Sequence, residues 1–253
     1  MNYYLQEPEI LIIGGLVSKT VLFVIPHEDD GEGGGGGSAA MWSSQGDRVV
    51  FVLCTNGDKG TSDCSMTPKK LAQIRNKEQI EAASILGVKE VVFLDYGDGE
   101  LEDTMELRGK ITRQIRIYRP DIVLAIDPFR RKVHQHRDHR VSGMATLDSV
   151  FTYAWTSQHF PDQIKDEGLS PHHVREILLW NSENANTTVD ISDTIGLKIS
   201  ALSKHVSQIH DMDRMSTNVQ ERARRIVENY DYEFGEAFRR IVIEKDAHKL
   251  GIY

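Results

Sequence analysis

Four short apolar segments, separated by stretches with helical periodicity, constrain the fold of this chain more than any other feature. They are rich in β-branched residues, as strands buried on both faces of a parallel sheet are. The segments span residues 19–26, 48–55, 90–95 and 121–127. Strands that alternate with helices in this way predict right-handed crossovers. We therefore expect a Rossmann-like α/β fold, with an open, mainly parallel sheet and helices on both faces.

The stretches between these segments carry the signals of helices. The clearest helix is predicted for residues 68–86, with Thr67 as N-cap, Pro68 at the first helical position and Gly87 just past the end. The other predicted helical stretches are 38–45, 107–118, 138–155, 195–210 and 218–230, and a fifth strand is predicted at 176–180. We predict a single domain over residues 1–253, with a core at 19–155 and a smaller C-terminal α/β extension at 156–253.

Charge and cysteine content narrow the function classes. The chain has 30 Lys and Arg against 38 Asp and Glu, a net charge of −8, which disfavours nucleic acid or an anionic membrane as partner and favours a small molecule. Cys54 and Cys64 cannot build a disulfide framework, which predicts a cytoplasmic protein. The apolar stretch 10–17 falls short of the roughly 20 residues of a membrane span and lacks the basic start of a signal peptide.

Two groups of histidines and carboxylates follow the first and fourth predicted strands. One is the segment 27–30, His-Glu-Asp-Asp, and the other is the segment 134–139, His-Gln-His-Arg-Asp-His. Either alone is compatible with a solvated polar loop. In a doubly wound sheet of order 3-2-1-4, however, strands one and four are neighbours, and their carboxyl ends flank a crevice. The two groups would meet there and hold a divalent cation.

The donor types favour a catalytic metal site over a structural one. Three imidazole and carboxylate ligands with an open fourth position are typical of catalytic zinc, although the same donors suit iron, cobalt, nickel or manganese. A glycine pattern at residues 31–36 also satisfies the dinucleotide fingerprint, so a nucleotide-binding or metal-binding module without catalysis is an alternative. Asp29, Asp30 and Glu32 would repel a pyrophosphate at this position, which disfavours that alternative.

Several motifs together resemble the PIG-L/LmbE-like family of zinc-dependent N-acetylglucosaminyl deacetylases. The resemblance covers residues 19–240 and includes the later segments 198–208 and 233–239. The motifs are His27-x-Asp29-Asp30, Gly36-Gly37-Ser38, Thr55-Asn56-Gly57-Asp58, Arg75-x-x-Glu78 and His136-x-Asp138-His139. The family usually has Pro where this chain has Glu28, and often where it has Arg137; neither departure removes a matched chemical group.

The resemblance implies a role for each matched residue. The implied zinc ligands are His27, Asp30 and His139, and the implied general base is Asp29. His136 would be an acid or electrostatic stabiliser that Asp138 keeps cationic, and His134 would contact the oxyanion. Arg75 would either bind substrate or orient the segment 27–30, which we call the metal loop. The implied reaction removes acetyl from the 2-acetamido group of a small-molecule amino sugar. The alternative is hydrolysis of another amide, such as a thiol conjugate. The family resemblance leaves a homo-oligomer open, and we expect residues 158–173 to shape the choice of aglycone.

Overall fold

Seven strands form one sheet in the computed structural model of the protein, which describes residues 18–132 and 134–243. The strands are β1 (Thr20–Ile25), β2 (Arg48–Thr55), β3 (Glu90–Tyr96), β4 (Ile122–Ile126), β5 (Glu176–Trp180), β6 (Thr187–Asp190) and β7 (Gly235–Val242). Their order is β3-β2-β1-β4-β5-β7-β6. The first five strands run parallel, whereas β7 is antiparallel to β5 and β6. The predicted fold class is confirmed; the apolar stretch 10–17 lies outside the described residues.

Helices cover both faces of this sheet. They are α1 (Asp30–Ser44), α2 (Pro68–Ile85), α3 (Met105–Tyr118), α4 (Arg137–Asp148), α5 (Pro161–Lys165), α6 (Ile195–Leu202) and α7 (Met212–Ile226). A π-helical turn at Ser149–Tyr153 continues α4. The cap of α2 is the predicted one, because the Thr67 side chain accepts a hydrogen bond from the backbone amide of Lys70.

Alternate residues of the central strand β1 belong to two separate apolar cores. Val21 and Phe23 pack in one core with Trp42 of α1 and with apolar residues of α2 and α6. Leu22 and Val24 pack in the other core with apolar residues of α3 and α4. Because both faces of β1 are covered, every residue from 21 to 25 is fully buried, which explains the unbroken apolar run in the sequence.

The helix after β1 starts earlier than predicted. Its first residue is Asp30, so the prediction of a helix over 38–45 was wrong about its beginning, and the glycine run 33–37 lies inside the helix instead of forming a loop. The glycines permit close packing of this helix on the sheet. A Cβ atom at Gly34 would lie 2.5 Å from the Trp180 ring, which leaves no room for a side chain.

A buried ion pair occupies a break in α1. The backbone of Gly35 is not helical, with φ −151° and ψ 22°, so the turns on either side of it do not form one continuous hydrogen-bond ladder. The Glu236 carboxylate accepts hydrogen bonds from the backbone amides of residues 37–38, at 3.0 and 2.8 Å. Lys198 Nζ donates to Glu236 at 2.6 Å and to the carbonyl oxygen of Gly33 at 3.0 Å. The pair thus completes the hydrogen bonding of both halves of the helix.

The C-terminal part adds strands that the sequence analysis did not predict. The two predicted helical stretches are shorter in the structure, where they become α6 and α7, and β6 and β7 occupy residues assigned to no element. β7 pairs with β5 along the whole of β5, with Phe238 opposite Trp180. The C-terminal residues therefore extend the same sheet.

Candidate metal centre and active site

The three predicted metal ligands converge at the carboxyl ends of β1 and β4. His27 follows β1, and His139 lies in the first turn of α4. Asp30 Oδ2 is 3.1 Å from His27 Nδ1 and 3.0 Å from His139 Nε2. Residues more than one hundred positions apart in sequence thus meet at one carboxylate oxygen, as the order β1-β4 requires.

The two adjacent carboxylates, Asp29 and Asp30, point in different directions. Asp29 has a left-handed backbone with φ 80°, an uncommon conformation for a residue other than glycine. Its carboxylate is 31% exposed and lies 4.0 Å from Arg75 Nη2, whereas the Asp30 carboxylate faces the two histidines. Loss of solvation, followed by the charge of Asp30, raises the pKa of Asp29 to about 7. Burial opposes ionisation of Asp30, but hydrogen bonds from His139 and His27 hold its pKa below its ordinary value.

Asp138 contacts His27 more closely than it contacts His136. Its Oδ2 atom is 3.1 Å from His27 Nε2 and 4.0 Å from His136 Nδ1. The same carboxylate accepts hydrogen bonds from the backbone amides of Gly99 at 2.6 Å and Leu101 at 3.2 Å. The Asp138 carboxylate therefore connects the loop after β3 with His27.

His136 serves as the N-cap of α4. Its Nδ1 atom accepts a hydrogen bond from the backbone amide of Asp138 at 3.2 Å, so the ring carries its proton on Nε2 in the neutral form. Burial, followed by the charge of His27, lowers the pKa of His136. This arrangement disfavours the cationic state that the family resemblance implied.

The structure adds Asp98 to the cluster, a residue that the sequence analysis did not select. Asp98 Oδ1 lies 3.2 Å from His27 Nε2 and 4.0 Å from His136 Nε2. It follows β3 in the segment 97–99, Gly-Asp-Gly. An acidic residue between glycines just past a parallel strand is a signal that could have identified it, because the carboxyl ends of β1, β3 and β4 lie at one edge of the sheet.

The crowding of carboxylates around His27 fits a divalent cation. Burial lowers the pKa of His27, but hydrogen bonds with three carboxylates outweigh it and raise the pKa to about 11. Two groups of donors could each hold a metal, because their ligand atoms lie within 4.8 Å of one another: His27, His136 and His139, and His27, Asp98, His136 and Asp138. Neither group includes the predicted ligand Asp30, whose Oδ2 atom instead lies between His27 and His139. Imidazole and carboxylate donors suit zinc, among other transition metals.

Arg75 contacts the metal loop through a hydrogen bond and an ion pair. Its guanidinium donates to the carbonyl oxygens of Glu28 at 3.0 Å and Gly57 at 3.2 Å, and its Nε is 3.2 Å from Glu28 Oε2. Of the two roles considered for Arg75, orientation of the metal loop has direct contacts. Glu28 itself is buried and paired with Arg75.

Two further histidines differ sharply in exposure. His134 is exposed and its ring centre lies 5.9 Å from that of His136, at the rim of the site. His205 is fully buried, with Nε2 3.7 Å from Glu32 Oε2.

The comparisons with known proteins agree with this geometry. Residues 22–150, which contain both histidine and aspartate groups, match the family model PIG-L, described as GlcNAc-PI de-N-acetylase. The chain belongs to the PIG-L family. It is 37% identical over 190 residues to the diacetylchitobiose deacetylase of Thermococcus kodakarensis, covering 75% of this chain and 70% of the relative. It is 26% identical to a probable N-acetyl-alpha-D-glucosaminyl L-malate deacetylase 2 of Bacillus anthracis, covering 76% and 82%.

A solved PIG-L-like structure extends the likeness beyond the family model. The N,N'-diacetylchitobiose deacetylase of Pyrococcus horikoshii, in complex with its inhibitor MPG, superposes with a TM-score of 0.83 at 34% identity. The superposition covers 89% of this chain and 84% of that chain, so it includes most of the C-terminal part.

Within the described residues, several cavities border the site of this PIG-L family chain, among them one of 640 Å³ next to Arg130, His134 and His139. Two others bear on the substrate. The first, which we call the metal chamber, has a volume of 230 Å³ and mostly polar walls, formed by His27, Asp29, Asp30, Gly60, Arg75, Asp98, His134, His136, His139 and Gln208. The second, which we call the lateral cavity, has a volume of 320 Å³, starts at Asp29 and Asp30 and extends under α7. No helix within residues 18–132 and 134–243 has the length and apolar character needed to cross a membrane.

The loop expected to shape the choice of aglycone lies elsewhere. Arg116, near the end of α3, donates to backbone carbonyls of residues 153–160, and His172 Nε2 contacts the carbonyl oxygen of Pro120, just before β4. Gln163 also donates to the carbonyl oxygen of Gly109, in the first half of α3, so the loop 158–173 packs along α3, and none of its residues lines the metal chamber or the lateral cavity. Its part in the choice of aglycone stays a prediction.

Proposed function

We propose that this protein is a zinc-dependent hydrolase that removes acetyl from the 2-acetamido group of an N-acetylglucosamine-type sugar or conjugate. The products are acetate and the free amine. The observation that carries this proposal is the convergence of His27, Asp30 and His139, with a second carboxylate, Asp29, directed away from them. The relationship to diacetylchitobiose deacetylase supports the substrate class.

In this proposal the metal ligands are His27, Asp30 and His139. Their donor set, two imidazoles and one carboxylate, is one that catalytic zinc sites use, and it leaves room for water and substrate. A zinc ion held there supplies Lewis acidity to the amide carbonyl. The same donors accept iron, cobalt, nickel or manganese, so zinc is the first metal to test.

Asp29 acts as the general base. As the water oxygen forms a bond to the amide carbon, one water proton passes to the Asp29 carboxylate, which lines the metal chamber. The neighbouring Arg75 guanidinium, 4.0 Å away, limits the directions that this carboxylate takes.

His136 acts on the leaving nitrogen. His136 Nδ1 accepts a hydrogen bond from the backbone amide of Asp138, so the proton of the neutral ring is on Nε2. The residue lines the metal chamber. The Nε2–H group of the neutral ring donates a hydrogen bond to the leaving nitrogen, and the proton that Asp29 took from water passes to this nitrogen as the C–N bond breaks. Asp138 positions this step indirectly, since its backbone amide holds His136 and its carboxylate holds His27.

The polar wall of the metal chamber suits a sugar. The residues around the proposed ligands supply both hydrogen-bond donors and hydrogen-bond acceptors. They are Asp98, Arg75, Gln208 and His134. We therefore propose that the hydroxyl groups of the amino sugar bind in this chamber, with Arg75 and His134 among the contacts.

Hydrolysis of a thiol-conjugate amide is the alternative reaction. A mycothiol S-conjugate amidase of Streptomyces coelicolor is 28% identical over 56% of this chain, which supports including such a substrate in any test. Both reactions would use the same metal ligands and the same base.

A substrate panel tests the proposal directly. Protein stripped of metal and reloaded with zinc is assayed for acetate release from N-acetylglucosamine, diacetylchitobiose and N-acetylglucosaminyl malate. Release of free amine from a mycothiol conjugate is assayed in parallel, because the alternative reaction cleaves an amide other than an acetamide. We expect zinc-dependent acetate release from at least one N-acetylated sugar. Hydrolysis of the thiol conjugate alone would favour the alternative reaction, and no hydrolysis of any member by the zinc-loaded protein would refute the proposed activity.

A further inference from the structure

Apolar side chains supply much of the lining of the lateral cavity, although polar side chains, among them Asn181 and Asn218, also border it. It begins at Asp29 and Asp30 and is bounded by Gly33 and Gly34 of α1 on one side. Its apolar wall, supplied by α6, α7 and the loop between them, comprises Leu202, Ile209, Met215, Val219, Ala223 and Ile226. A volume of 320 Å³ lies within the range of about 300–1,000 Å³ that is common for ligand pockets.

The charged groups in the lateral cavity already have partners. Lys198 donates to Glu236 and to the carbonyl oxygen of Gly33, and Glu236 accepts from the amides in the break of α1. Arg222 donates to the side-chain oxygen of Asn181. Groups that are engaged in this way offer little to sugar hydroxyls, whereas the six apolar side chains gain by removing an alkyl group from water.

The position of the cavity selects the part of the substrate that enters it. The carbon of the scissile amide carries the sugar nitrogen on one side and the acyl chain on the other. If the polar metal chamber takes the sugar, the acyl chain extends from the carbonyl toward the cavity that opens at Asp29 and Asp30. The methyl group of an acetyl would occupy only the mouth of this cavity.

We propose that the lateral cavity is an acyl-binding subsite, and that the protein hydrolyses amino sugars whose N-acyl chain is unbranched and longer than acetyl. The inference rests on the proposed amide hydrolysis at the metal centre. It adds a substrate class, N-butanoyl and N-hexanoyl amino sugars, to the acetylated ones.

Gly33 provides a way to close the subsite. A Cβ atom built at Gly33 has no heavy atom within 4 Å, and this residue borders the lateral cavity. The neighbouring Gly34 has no such space, because its Cβ atom would contact Trp180. A leucine at position 33 therefore fits without displacing a neighbour, and we expect its side chain to enter the cavity. Replacing a helical glycine does not weaken the helix.

The test measures kcat/KM for zinc-loaded protein with N-acetyl, N-butanoyl and N-hexanoyl glucosamine. We expect each added methylene to raise kcat/KM about fourfold while the chain still fits the cavity. Gly33→Leu should lower the ratio of hexanoyl to acetyl turnover about tenfold or more, and Gly33→Ala should lower it less. The matched control is Gly196→Leu, the same change at an exposed helical glycine outside the cavity. A Cβ atom at this position also has no heavy atom within 4 Å. The ratio of hexanoyl to acetyl turnover should stay that of the wild type in this control.

The outcomes separate this inference from the proposed function. Acetate release without hydrolysis of the butanoyl and hexanoyl substrates would overturn the acyl subsite and leave the deacetylase intact. No release from any chain length would overturn both. If Gly33→Leu changes turnover of diacetylchitobiose relative to N-acetylglucosamine but not the chain-length ratio, the cavity binds a second sugar and the inference is wrong. A crystal structure of Asp29→Asn with N-hexanoylglucosamine should show the alkyl chain between Leu202 and Val219.

Discussion

At the scale of single residues, the proposed mechanism depends on two adjacent carboxylates with different tasks. The left-handed backbone of Asp29 turns its carboxylate toward Arg75, while Asp30 faces His27 and His139. A strained conformation of this kind persists where the surrounding structure enforces it, and such residues cluster at functional sites. The division of tasks predicts that the two aspartates respond differently to substitution.

Replacing Asp29 should separate catalysis from metal binding. Asp29→Asn keeps the size of the side chain and leaves the predicted ligands untouched, so the protein should bind zinc as the wild type does. Loss of the general base should lower kcat about 100-fold or more. Elemental analysis of the purified variant and steady-state kinetics measure the two effects. An Asp29→Asn protein with wild-type turnover would show that another group takes the proton.

Replacing His139 should abolish both properties. His139→Ala removes one of the groups that contact Asp30, so zinc content and activity should fall together. The matched control is His134→Ala at the exposed rim of the metal chamber, which should keep the metal. Full zinc occupancy in His139→Ala, measured by titration with a chromogenic chelator, would exclude this residue as a ligand.

Residues differ in how much of their role the sequence could show. The predicted ligands His27, Asp30 and His139 were selected because histidines and aspartates cluster after two strands, and the structure places Asp30 in contact with both histidines. Asp98 was missed because it stands alone between glycines, and its proximity to His27 arises only when β3 joins the same sheet edge. The contact of Asp138 with His27 rather than His136 depends on side-chain directions that sequence spacing does not specify.

At the scale of elements, packing outweighs local preference where the sequence analysis was wrong. A run of glycines is unfavourable in a helix, yet residues 33–37 are helical, apart from the break at Gly35, because the absence of side chains lets α1 approach Trp180. β7 was missed because its sequence mixes charged and apolar residues, and pairing with β5 and β6 makes it a strand. The strands β1 to β5 were predictable because burial on both faces leaves continuous apolar runs.

The ion pair in the break of α1 predicts a stability effect that surface pairs do not have. Glu236→Gln leaves the buried Lys198 ammonium without its countercharge, which should lower the free energy of unfolding by about 3 kcal/mol. The control is Glu90→Gln, which breaks the ion pair of Glu90 with Arg48. Both side chains are 49% exposed, so the free energy of unfolding should fall by less than about 1 kcal/mol. Urea unfolding of the metal-free proteins measures both values. Equal losses in the two variants would show that the buried pair has no special structural role.

At the scale of the whole molecule, the metal centre and the apolar cores are separate. The two cores fill the faces of the sheet, while the candidate ligands lie at its carboxyl edge. The strand order that places β1 beside β4 is what joins the two motifs; the sequence pattern predicted the α/β class, and the order followed from the doubly wound sheet assumed for that class. Because neither core includes a candidate ligand, loss of the metal should leave the fold in place.

Metal removal is therefore expected to stop activity without unfolding the protein. A chelator should abolish amide hydrolysis, leave the far-ultraviolet circular dichroism unchanged, and allow recovery when zinc is added back. Zinc at 100 times its dissociation constant should stabilise the native state by about 2.7 kcal/mol, because it binds the folded site and relieves the repulsion among the carboxylates around His27. For a chain of this size that corresponds to a rise in Tm of roughly 5–10 °C. Thermal unfolding with and without zinc measures the shift, and His139→Ala should show none. Activity that survives complete removal of metal would contradict the proposed mechanism, whereas loss of the far-ultraviolet signal on chelation would show that the cores do depend on the metal centre.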